Sequence, residues 1–245
     1  MDELTGRVAL VTGGSSGIGA ETARRLHALG CTVVVSARTV DGPGNDVAAS
    51  IDGAFLPADV GDPEQAGGLV AATVRRYGRL DVLVNSAGTT ELIPHGDLAA
   101  ATPEIWHRLY ATNVVAPWVL TTAARQYLDA APGGGVVVNV GSLSGIKPGG
   151  SSIPYAVSKA ALHQQTRMLA VALAPKIRVN AVAPSIADTA WTAGMGDARA
   201  AAVRDIPLGR MASAEDVARV IVTQVLSPYV TGAVWRVDGG SGLVG

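Results

Sequence analysis

The chain contains few of the residues from which disulfide frameworks, metal clusters and nucleic-acid-binding faces are built. Its 245 residues include one cysteine, Cys31, and four histidines that lie scattered along the sequence. One cysteine cannot form a disulfide within the chain, and the dispersed histidines give no metal-ligand spacing, so we expect no metal. The formal net charge of −1 does not indicate a basic surface for nucleic acid.

Long apolar runs are also missing. No stretch approaches the roughly 20 consecutive apolar residues that span a bilayer, so we expect a soluble protein with no membrane partner. The first residues, Met1 to Leu4, lead almost directly into a strand-like run without the basic and apolar stretches of an export signal. With a single cysteine, this predicts a location in the reducing cytoplasm. No linker or change of composition divides residues 1–245, which predicts one domain.

The sequence does contain a tyrosine and a lysine four residues apart, Tyr155 and Lys159. On a helix these side chains share one face. A free phenol has a pKa of about 10, and a nearby ammonium lowers that pKa because it stabilises the phenolate. The pair is therefore a candidate for acid–base catalysis. The alternative is chance, because many helices carry Tyr and Lys at this spacing.

A glycine-rich turn near the start of the chain gives a second signal. An apolar run at 7–12 precedes the turn at 13–19, and a helical pattern follows it. Gly13, Gly17 and Gly19 allow a tight turn and the close approach of a bound group. The amino end of the helix offers unpaired N–H groups and a partial positive charge, which suit a pyrophosphate. A glycine turn without a ligand is the alternative.

Strand-like apolar runs recur along the chain and most are separated by helical patterns. They lie at 7–12, 32–36, 54–57, 81–85, 135–141, 177–182 and 234–237. This alternation predicts an α/β fold with a parallel seven-stranded sheet, doubly wound with helices on both faces. The ligand crevice of such a sheet lies at the carboxyl ends of the strands, where Thr12, Asn85 and Ser142 are placed. Residues 186–208 are rich in Ala and Gly and poorly periodic, which predicts a mobile substrate lid.

Taken together, these strings resemble the short-chain dehydrogenase/reductase family in its single-domain form. The matching segments are 12–19 (Thr-Gly-x-x-x-Gly-x-Gly), Asp59-Val60, 85–88 (Asn-Asn-Ala-Gly), the helical Asn113, Ser142 thirteen residues before Tyr155, Tyr155-x-x-x-Lys159, 178–180 (Arg-Val-Asn) and 237–240 (Val-Asp-Gly-Gly). The chain departs from the family at Ser86, where the family has Asn, and at Ser185, where it has Gly. The resemblance implies a Rossmann-type fold and an NAD(P)(H)-dependent oxidoreductase that interconverts a ketone or aldehyde and an alcohol.

The resemblance also implies catalytic roles for Asn113, Ser142, Tyr155 and Lys159. Tyr155 donates the proton to the carbonyl oxygen, to which Ser142 also donates a hydrogen bond. Lys159 lowers the Tyr155 pKa and contacts the nicotinamide ribose, and Asn113 holds a water that contacts Lys159. Without the resemblance, Asn113 would be interpreted as a surface polar residue of a helix at 102–128. Ser142 would be interpreted as one of several loop serines, of which Ser144 is another.

Cofactor contacts follow from the same resemblance. They are assigned to Gly13, Ser15, Ser16, Gly17, Ile18, Gly19, Arg38, Asp59, Val60, Asn85, Ala87, Gly88, Tyr155, Lys159, Pro184, Ala187 and Thr189. Asp59 is expected beside the adenine amino group, the alternative being a cap of the helix that starts near Pro63. Thr189 is expected at the nicotinamide carboxamide.

The residues after the second strand favour NADP(H), with NAD(H) as the alternative. Ala37 stands where NAD-preferring family members carry Asp, and Arg38 follows where a guanidinium can bind a 2′-phosphate. Two observations weigh against this interpretation. Arg38 could simply be a solvated loop residue, and Ser16 stands where many NADP-preferring members have a basic residue.

The substrate is expected to be a fairly apolar small molecule with a carbonyl or alcohol group. Apart from Ser142, the residues assigned to its pocket are Ile93, Leu143, Ile186 and Trp191, which are mostly apolar. Core packing explains the same apolar residues equally well.

Wide apolar stripes on the helices at 102–128 and 155–174 leave a second face unpaired. In the family these helices pair with symmetry mates, so the resemblance implies a homotetramer. A monomer in which both helices are buried is the alternative.

A non-catalytic dinucleotide-binding regulator or scaffold on the same fold is the rival function, because a fold does not fix an activity. The complete set of four catalytic residues argues against it, since a binding module does not need a phenol beside an ammonium. Enoyl-reducing relatives space their Tyr and Lys more widely than Tyr155 and Lys159. Sugar epimerase or dehydratase relatives normally carry a longer carboxyl-terminal domain.

Overall fold

A parallel seven-stranded sheet forms the centre of the computed structural model, which describes residues 4–189, 192 and 203–244. Its strands are β1 (Val8–Thr12), β2 (Thr32–Ser36), β3 (Ala54–Phe55), β4 (Val82–Asn85), β5 (Gly135–Val140), β6 (Ile177–Pro184) and β9 (Val234–Val237), in the spatial order β3-β2-β1-β4-β5-β6-β9. All of its neighbouring strands pair in parallel. The prediction of a doubly wound α/β fold is confirmed, and each strand agrees with its apolar run to within two residues.

Helices cover both faces of this sheet. They are α1 (Gly17–Ala28), α2 (Pro43–Ser50), α3 (Pro63–Tyr77), α4 (Pro103–Tyr110), α5 (Ala116–Asp129), α6 (Ile153–Leu173) and α7 (Ala214–Leu226). No helix of the described ranges is long and apolar enough to cross a membrane.

Two cores, one on each face of the sheet, result from the alternation of side chains along the strands. In β1, Ala9 and Val11 lie in the core that includes residues of α1 and α7. Val8 and Leu10 lie in the core that includes residues of α3, α5 and α6. Every residue of β1 is buried, and a fully buried Val or Leu contributes roughly 1.5–3 kcal/mol of transfer free energy. Burial on both faces explains why the strand is a continuous apolar run.

The helix predicted at 102–128 is interrupted by a segment of π-helix. Residues Ala111–Val115 form this segment between α4 and α5, and the Ala116 N–H bonds to the Ala111 carbonyl across five residues. Pro117 has no N–H, so the ordinary helical bond to the Asn113 carbonyl cannot form there. The wider turn carries Asn113 into the interior of the protein.

A second, two-stranded parallel sheet joins β7 (Ala187–Asp188) and β8 (Ala212–Ser213). Ser213 also begins α7 with a capping box, in which its hydroxyl accepts from the Asp216 N–H at 3.0 Å. The lid predicted at 186–208 runs between these two short strands. Residues 190, 191 and 193–202 lie outside the described part of the chain, and most of the predicted lid falls on them.

Candidate active site

A cavity of about 1330 Å³ opens at the carboxyl ends of the central strands. Most residues assigned from the sequence line it: Gly13, Ser15, Ser16, Gly17, Ile18, Gly19, Arg38, Asp59, Val60, Ala87, Gly88, Ser142, Tyr155, Lys159, Pro184, Ala187 and Thr189, together with Ile93, Leu143 and Ile186. Asn85 and Asn113 do not line it. The predicted substrate contact Trp191 lies outside the described residues. The structure therefore brings together, in one cavity, the glycine turn and the Tyr-Lys pair.

The glycine turn is packed so closely that side chains are excluded from it. A Cβ on Gly13 would lie 2.7 Å from the Ala87 backbone nitrogen, and Gly13 has a φ of +64°. A Cβ on Gly19 would lie 2.3 Å from the Gly13 carbonyl oxygen. The backbone turns tightly here because neither residue has a side chain.

The amino end of α1 faces the cavity without a side-chain cap. Ser16 precedes the helix and makes no capping hydrogen bond, and the first turn contains no acidic residue. Its N–H groups and the helix dipole are therefore available to an anion. This uncapped helix end and the tight glycine turn fit the pyrophosphate of a dinucleotide.

The end of β2 lines the part of the cavity expected to hold the adenosine ribose. Ala37 places no carboxylate there, and Arg38 is exposed and forms no ion pair within the described residues. The Ser36 hydroxyl is buried without a hydrogen-bond partner in the same part of the chain. The residues of the following loop that line the cavity are Ala37, Arg38 and Thr39. They include a guanidinium that forms no ion pair within the described residues, and none of the three is acidic.

Asp59 lies at the cavity and does not cap the next helix. Its carboxylate accepts from the Gly61 N–H at 2.9 Å, whereas the N-cap of α3 is Asp62, which accepts from the Glu64 N–H. The helix is therefore capped by Asp62, and the alternative in which Asp59 caps it does not hold.

Asn85 is buried and is not among the residues that line the cavity. Its Nδ2 donates to Asn139 Oδ1 at 2.8 Å, and Asn139 Nδ2 donates to Thr166 Oγ1 at 2.9 Å. This buried chain of hydrogen bonds joins β4, β5 and α6. Asn85 thereby helps to connect β4 to the helix that carries Tyr155, and its predicted contact with the cofactor stays a prediction.

Asn113 is fully buried, so the surface alternative for it does not hold. Its Oδ1 accepts from the Thr89 N–H at 2.9 Å, and its Nδ2 donates to the Thr89 carbonyl at 2.9 Å and to Ser158 Oγ at 3.0 Å. These bonds use both amide hydrogens. Asn113 thereby joins the cavity-lining loop at Thr89 to α6, and its expected contact with a water stays a prediction.

Ser142 follows β5 and lies between two glycines that contact a buried histidine. A Cβ on Gly141 would lie 2.1 Å from His163 Nε2, and one on Gly145 would lie 2.9 Å from His163 Cε1. Burial and the nearby Lys159 charge lower the pKa of His163 to about 4, so its imidazole is neutral near pH 7. The ring thus supports the turn that positions Ser142, a role that the spacing of the histidines does not indicate.

Tyr155 and Lys159 lie one helical turn apart on α6, which begins after the Ser152 cap. Lys159 Nζ is 5.8 Å from the centre of the Tyr155 ring and donates to the Val140 carbonyl at 2.9 Å. Burial lowers the pKa of Lys159 to about 8. Burial also raises the pKa of Tyr155, while its hydrogen bond with Ser142 opposes that rise. The Tyr155 pKa therefore lies above its ordinary value in this structure because of burial, and the lowering by Lys159 that the resemblance implies stays a prediction.

Comparison with known proteins decides the family. A family model described as "Enoyl-(Acyl carrier protein) reductase" matches residues 13–242. A Streptomyces violaceoruber protein assigned as ketoacyl reductase 2 of the granaticin polyketide synthase is 49% identical over 242 residues, which cover 97% of this chain and 96% of that protein. The chain belongs to the short-chain dehydrogenase/reductase family. It is therefore an oxidoreductase, as the sequence predicts.

Two further short-chain dehydrogenase/reductases show how closely the fold and the chain length agree. The 3-oxoacyl-[acyl-carrier-protein] reductase FabG of Thermotoga maritima is 36% identical over 97% of this chain and 98% of its own. The Pseudomonas aeruginosa RhlG/NADP active-site complex matches with a TM-score of 0.89 and 33% identity, covering 98% of this chain and 97% of that one. Members of the family bind NAD(P)(H).

Several residues of this short-chain dehydrogenase/reductase line the cavity without having been assigned from the sequence. They include Thr90, Ser144, Lys147, Asp205, Ile206 and Ser241. Thr90 is held by a short hydrogen bond between its hydroxyl and that of Ser151. These residues lie in loops, turns or short 3₁₀ segments, so no helix or strand periodicity in the sequence indicates them.

Proposed function

We propose that the protein is an NADPH-dependent reductase that converts a ketone or aldehyde of a fairly apolar small molecule into an alcohol, with alcohol oxidation as the reverse reaction. One observation carries the proposal. Ser142, Tyr155 and Lys159 line the same cavity as the uncapped amino end of α1. A bound nicotinamide dinucleotide would supply the hydride in this cavity.

The protein's own residues would handle the proton. Tyr155 donates its hydroxyl proton to the carbonyl oxygen as negative charge develops there, and Ser142 donates a hydrogen bond to the same oxygen. A Tyr155 pKa above its ordinary value keeps the phenol protonated near neutral pH, as a proton donor requires. Lys159 is held by the Val140 carbonyl, and its cation stabilises the phenolate that remains after proton transfer.

The substrate end of the cavity supports an apolar substrate. Ile93 and Leu143 line it while being largely buried themselves, and Ile186 lines the same cavity. The relatives named as ketoacyl and oxoacyl reductases act on a carbonyl within an acyl chain, and a third relative is named cis-4-hydroxycyclohexanecarboxylate dehydrogenase (Sinomonas cyclohexanicum, 37% identical). A ketone flanked by an apolar chain or ring is the substrate class that fits both observations.

The function is tested by following nicotinamide absorbance while NADPH is mixed with ketones, aldehydes, β-keto thioesters and an enoyl thioester. We expect loss of NADPH with the carbonyl compounds. Loss with the enoyl thioester alone would support the reaction in the description of the matching family model. Binding of NADPH without any turnover would support the rival function, a non-catalytic regulator.

NADP(H) is proposed as the preferred cofactor because of the residues at the end of β2. The Arg38 guanidinium is exposed at the cavity and free of ion pairs within the described residues. A guanidinium binds a phosphate through two parallel hydrogen bonds. No carboxylate at position 37 accepts from ribose hydroxyls or repels the 2′-phosphate.

Replacing Ala37→Asp and Arg38→Leu together is expected to shift the cofactor preference toward NAD(H) by about tenfold or more, because it adds a ribose acceptor and removes the phosphate contact. The measurement is the ratio of kcat/KM for NADPH to kcat/KM for NADH. Arg24→Leu, a change on the surface of α1, serves as the control and leaves the ratio unchanged. A wild-type preference for NADH would show that the interpretation of Arg38 is wrong.

A homotetramer is proposed as the assembly. Trp118 on α5 and Met168 and Val171 on α6 are exposed apolar side chains, with 49%, 62% and 82% of their surfaces accessible. These are the two helices whose stripes predict pairing with symmetry mates. Exposed apolar surface of this kind on neighbouring helices is typical of protein–protein interfaces.

Light scattering is expected to give about four times the chain mass of 24.8 kDa at micromolar concentration. Trp118→Glu and Met168→Glu together place charges on the proposed interface and should lower the measured mass. A wild-type monomer would contradict the proposal. A dimer that these changes dissociate would support pairing through these helices alone.

A further inference from the structure

The carboxyl-terminal segment, residues 238–244, folds back against the substrate end of the cavity. Asp238 orders it, since its two carboxylate oxygens accept from the N–H groups of Gly240 at 3.0 Å and Gly242 at 3.1 Å. A short 3₁₀ turn, Ser241–Leu243, follows. Ser241 lines the cavity.

One lysine joins this segment to the loop after Ser142. Lys147 Nζ donates to the Ser241 carbonyl at 3.0 Å and to the Val244 carbonyl at 2.8 Å. Lys147 forms no ion pair within the described residues, and it lines the cavity itself. Its ammonium therefore binds the backbone carbonyls of the carboxyl-terminal segment. Hydrogen bonds from a charged donor are stronger than those from a neutral donor.

Packing supports the same connection. A Cβ on Gly242 would lie 3.2 Å from Leu143 Cδ1. The segment therefore contacts the side chain of Leu143, which is one of the predicted substrate-pocket residues. Leu143 lines the cavity, and the segment packs behind the part of the cavity wall that Leu143 forms.

The carboxyl-terminal segment also contacts a second part of the cavity lining, at Ile206. The Leu208 N–H donates to the Gly239 carbonyl at 3.1 Å, and a Cβ on Gly239 would lie 2.7 Å from Ile206 Cγ2. Ile206 lines the cavity. Residues 238–244 thus contact two walls that lie far apart in the sequence.

We propose that the carboxyl-terminal segment, held in place by Lys147, forms an outer wall of the substrate pocket, and that Lys147 is a positioning residue that sets the affinity for bulky apolar carbonyl substrates. This rests on the proposed function. The exposed side chains of Leu243 and Val244 extend apolar surface beside this wall. A substrate that reaches past Leu143 contacts this wall, and a short ketone does not.

The kinetic test compares Lys147→Met with Lys147→Arg and with Lys176→Met. Methionine keeps much of the length of the side chain and removes the donor, whereas arginine retains a cation that can donate to both carbonyls. Lys176 is exposed and does not line the cavity, so its replacement is the matched control.

For Lys147→Met we expect the KM of a bulky ketone to rise by about tenfold or more, because the change removes both hydrogen bonds from the charged donor and one such bond is worth about a factor of ten. The KM of NADPH, kcat, and the KM of a short aldehyde should change little, and Lys147→Arg should restore most of the affinity. Equal KM values for Lys147→Met and Lys176→Met would overturn the proposal. So would an equal rise for the short and bulky substrates.

Amide hydrogen exchange without substrate provides a readout that does not depend on turnover. In Lys147→Met the N–H groups of Gly242 and Leu243 should exchange faster than in the wild type, while those of β1 are unchanged. Unchanged exchange at 240–244 would overturn the role of Lys147 in holding the segment. If the wild type reduces no carbonyl compound, the proposed function fails, and the proposed effect of Lys147 on substrate affinity fails with it. The exchange result still decides whether Lys147 holds residues 238–244 in place.

Discussion

Tyr155→Phe is expected to lower kcat for carbonyl reduction by about 10²–10⁴-fold, the range that a general acid contributes. The change removes the hydroxyl that donates the proton and keeps the ring, which is partly buried on α6. NADPH binding, followed by fluorescence titration, should remain nearly intact. This separation of turnover from binding distinguishes an acid from a residue that only shapes the cavity.

Tyr229→Phe provides the matched control for this experiment. Tyr229 is fully exposed and does not line the cavity, so removing its hydroxyl should leave both kcat and cofactor binding unchanged. Comparable activity of purified wild type and Tyr155→Phe would refute the assignment of the acid.

Lys159→Ala is expected to lower turnover and cofactor affinity together. The residue is nearly fully buried and lines the cavity beside Tyr155, so the change removes a cation near the phenol and the proposed contact with the nicotinamide ribose. Without the cation the phenolate is less stable and the Tyr155 pKa rises. Alcohol oxidation, which needs the phenolate as base, should therefore begin at a higher pH than in the wild type.

The measurements for Lys159→Ala are kcat, the Kd of NADPH and the pH profile of alcohol oxidation. Lys159→Met fills more of the space and tests whether the loss results from a cavity in the core. Lys176→Ala is the control at an exposed position. A Kd for NADPH equal to that of the wild type would argue against the ribose contact, and an unshifted pH profile would argue against the electrostatic role.

The strands could be predicted because burial on both faces leaves a direct trace in the sequence. Val33, Val34 and Val35 are fully buried in β2, and a continuous run of this kind at a length of about five residues indicates a strand of a parallel sheet. The order of the strands rests on pairing between distant segments. No local pattern in the sequence predicts that order, which is seen only in the structure.

One residue in the sequence, Pro117, indicates the π segment around Asn113, but the apolar periodicity on both sides of it indicates a continuous helix. A proline four residues after Asn113 removes one helical hydrogen bond, but apolar residues continue on both sides and indicate one helix. The inward position of Asn113 depends on its contacts with Thr89 and Ser158. Both partners lie far from Asn113 in the sequence.

The remaining parts of the candidate site depend on tertiary contacts. Lys147 meets the carboxyl-terminal segment across 94 and 97 residues, and no motif contains both. The direction of the Tyr155 pKa shift is set by burial, which the spacing to Lys159 does not report. Motifs therefore indicate the residues that we propose carry the chemistry, whereas the surroundings of those residues become known only from the fold.

The most direct test of the account is the destination of the hydride. NADPH carrying deuterium at nicotinamide C4 is mixed with a β-keto thioester whose chain also offers an alkene, and the product is analysed by mass spectrometry and NMR. The account predicts deuterium on the carbon that bears the new hydroxyl, and a greatly reduced yield of this product with Tyr155→Phe. Deuterium on an alkene carbon with the ketone untouched would contradict the account, and so would equal deuterium transfer to the carbonyl carbon by Tyr155→Phe and the wild type.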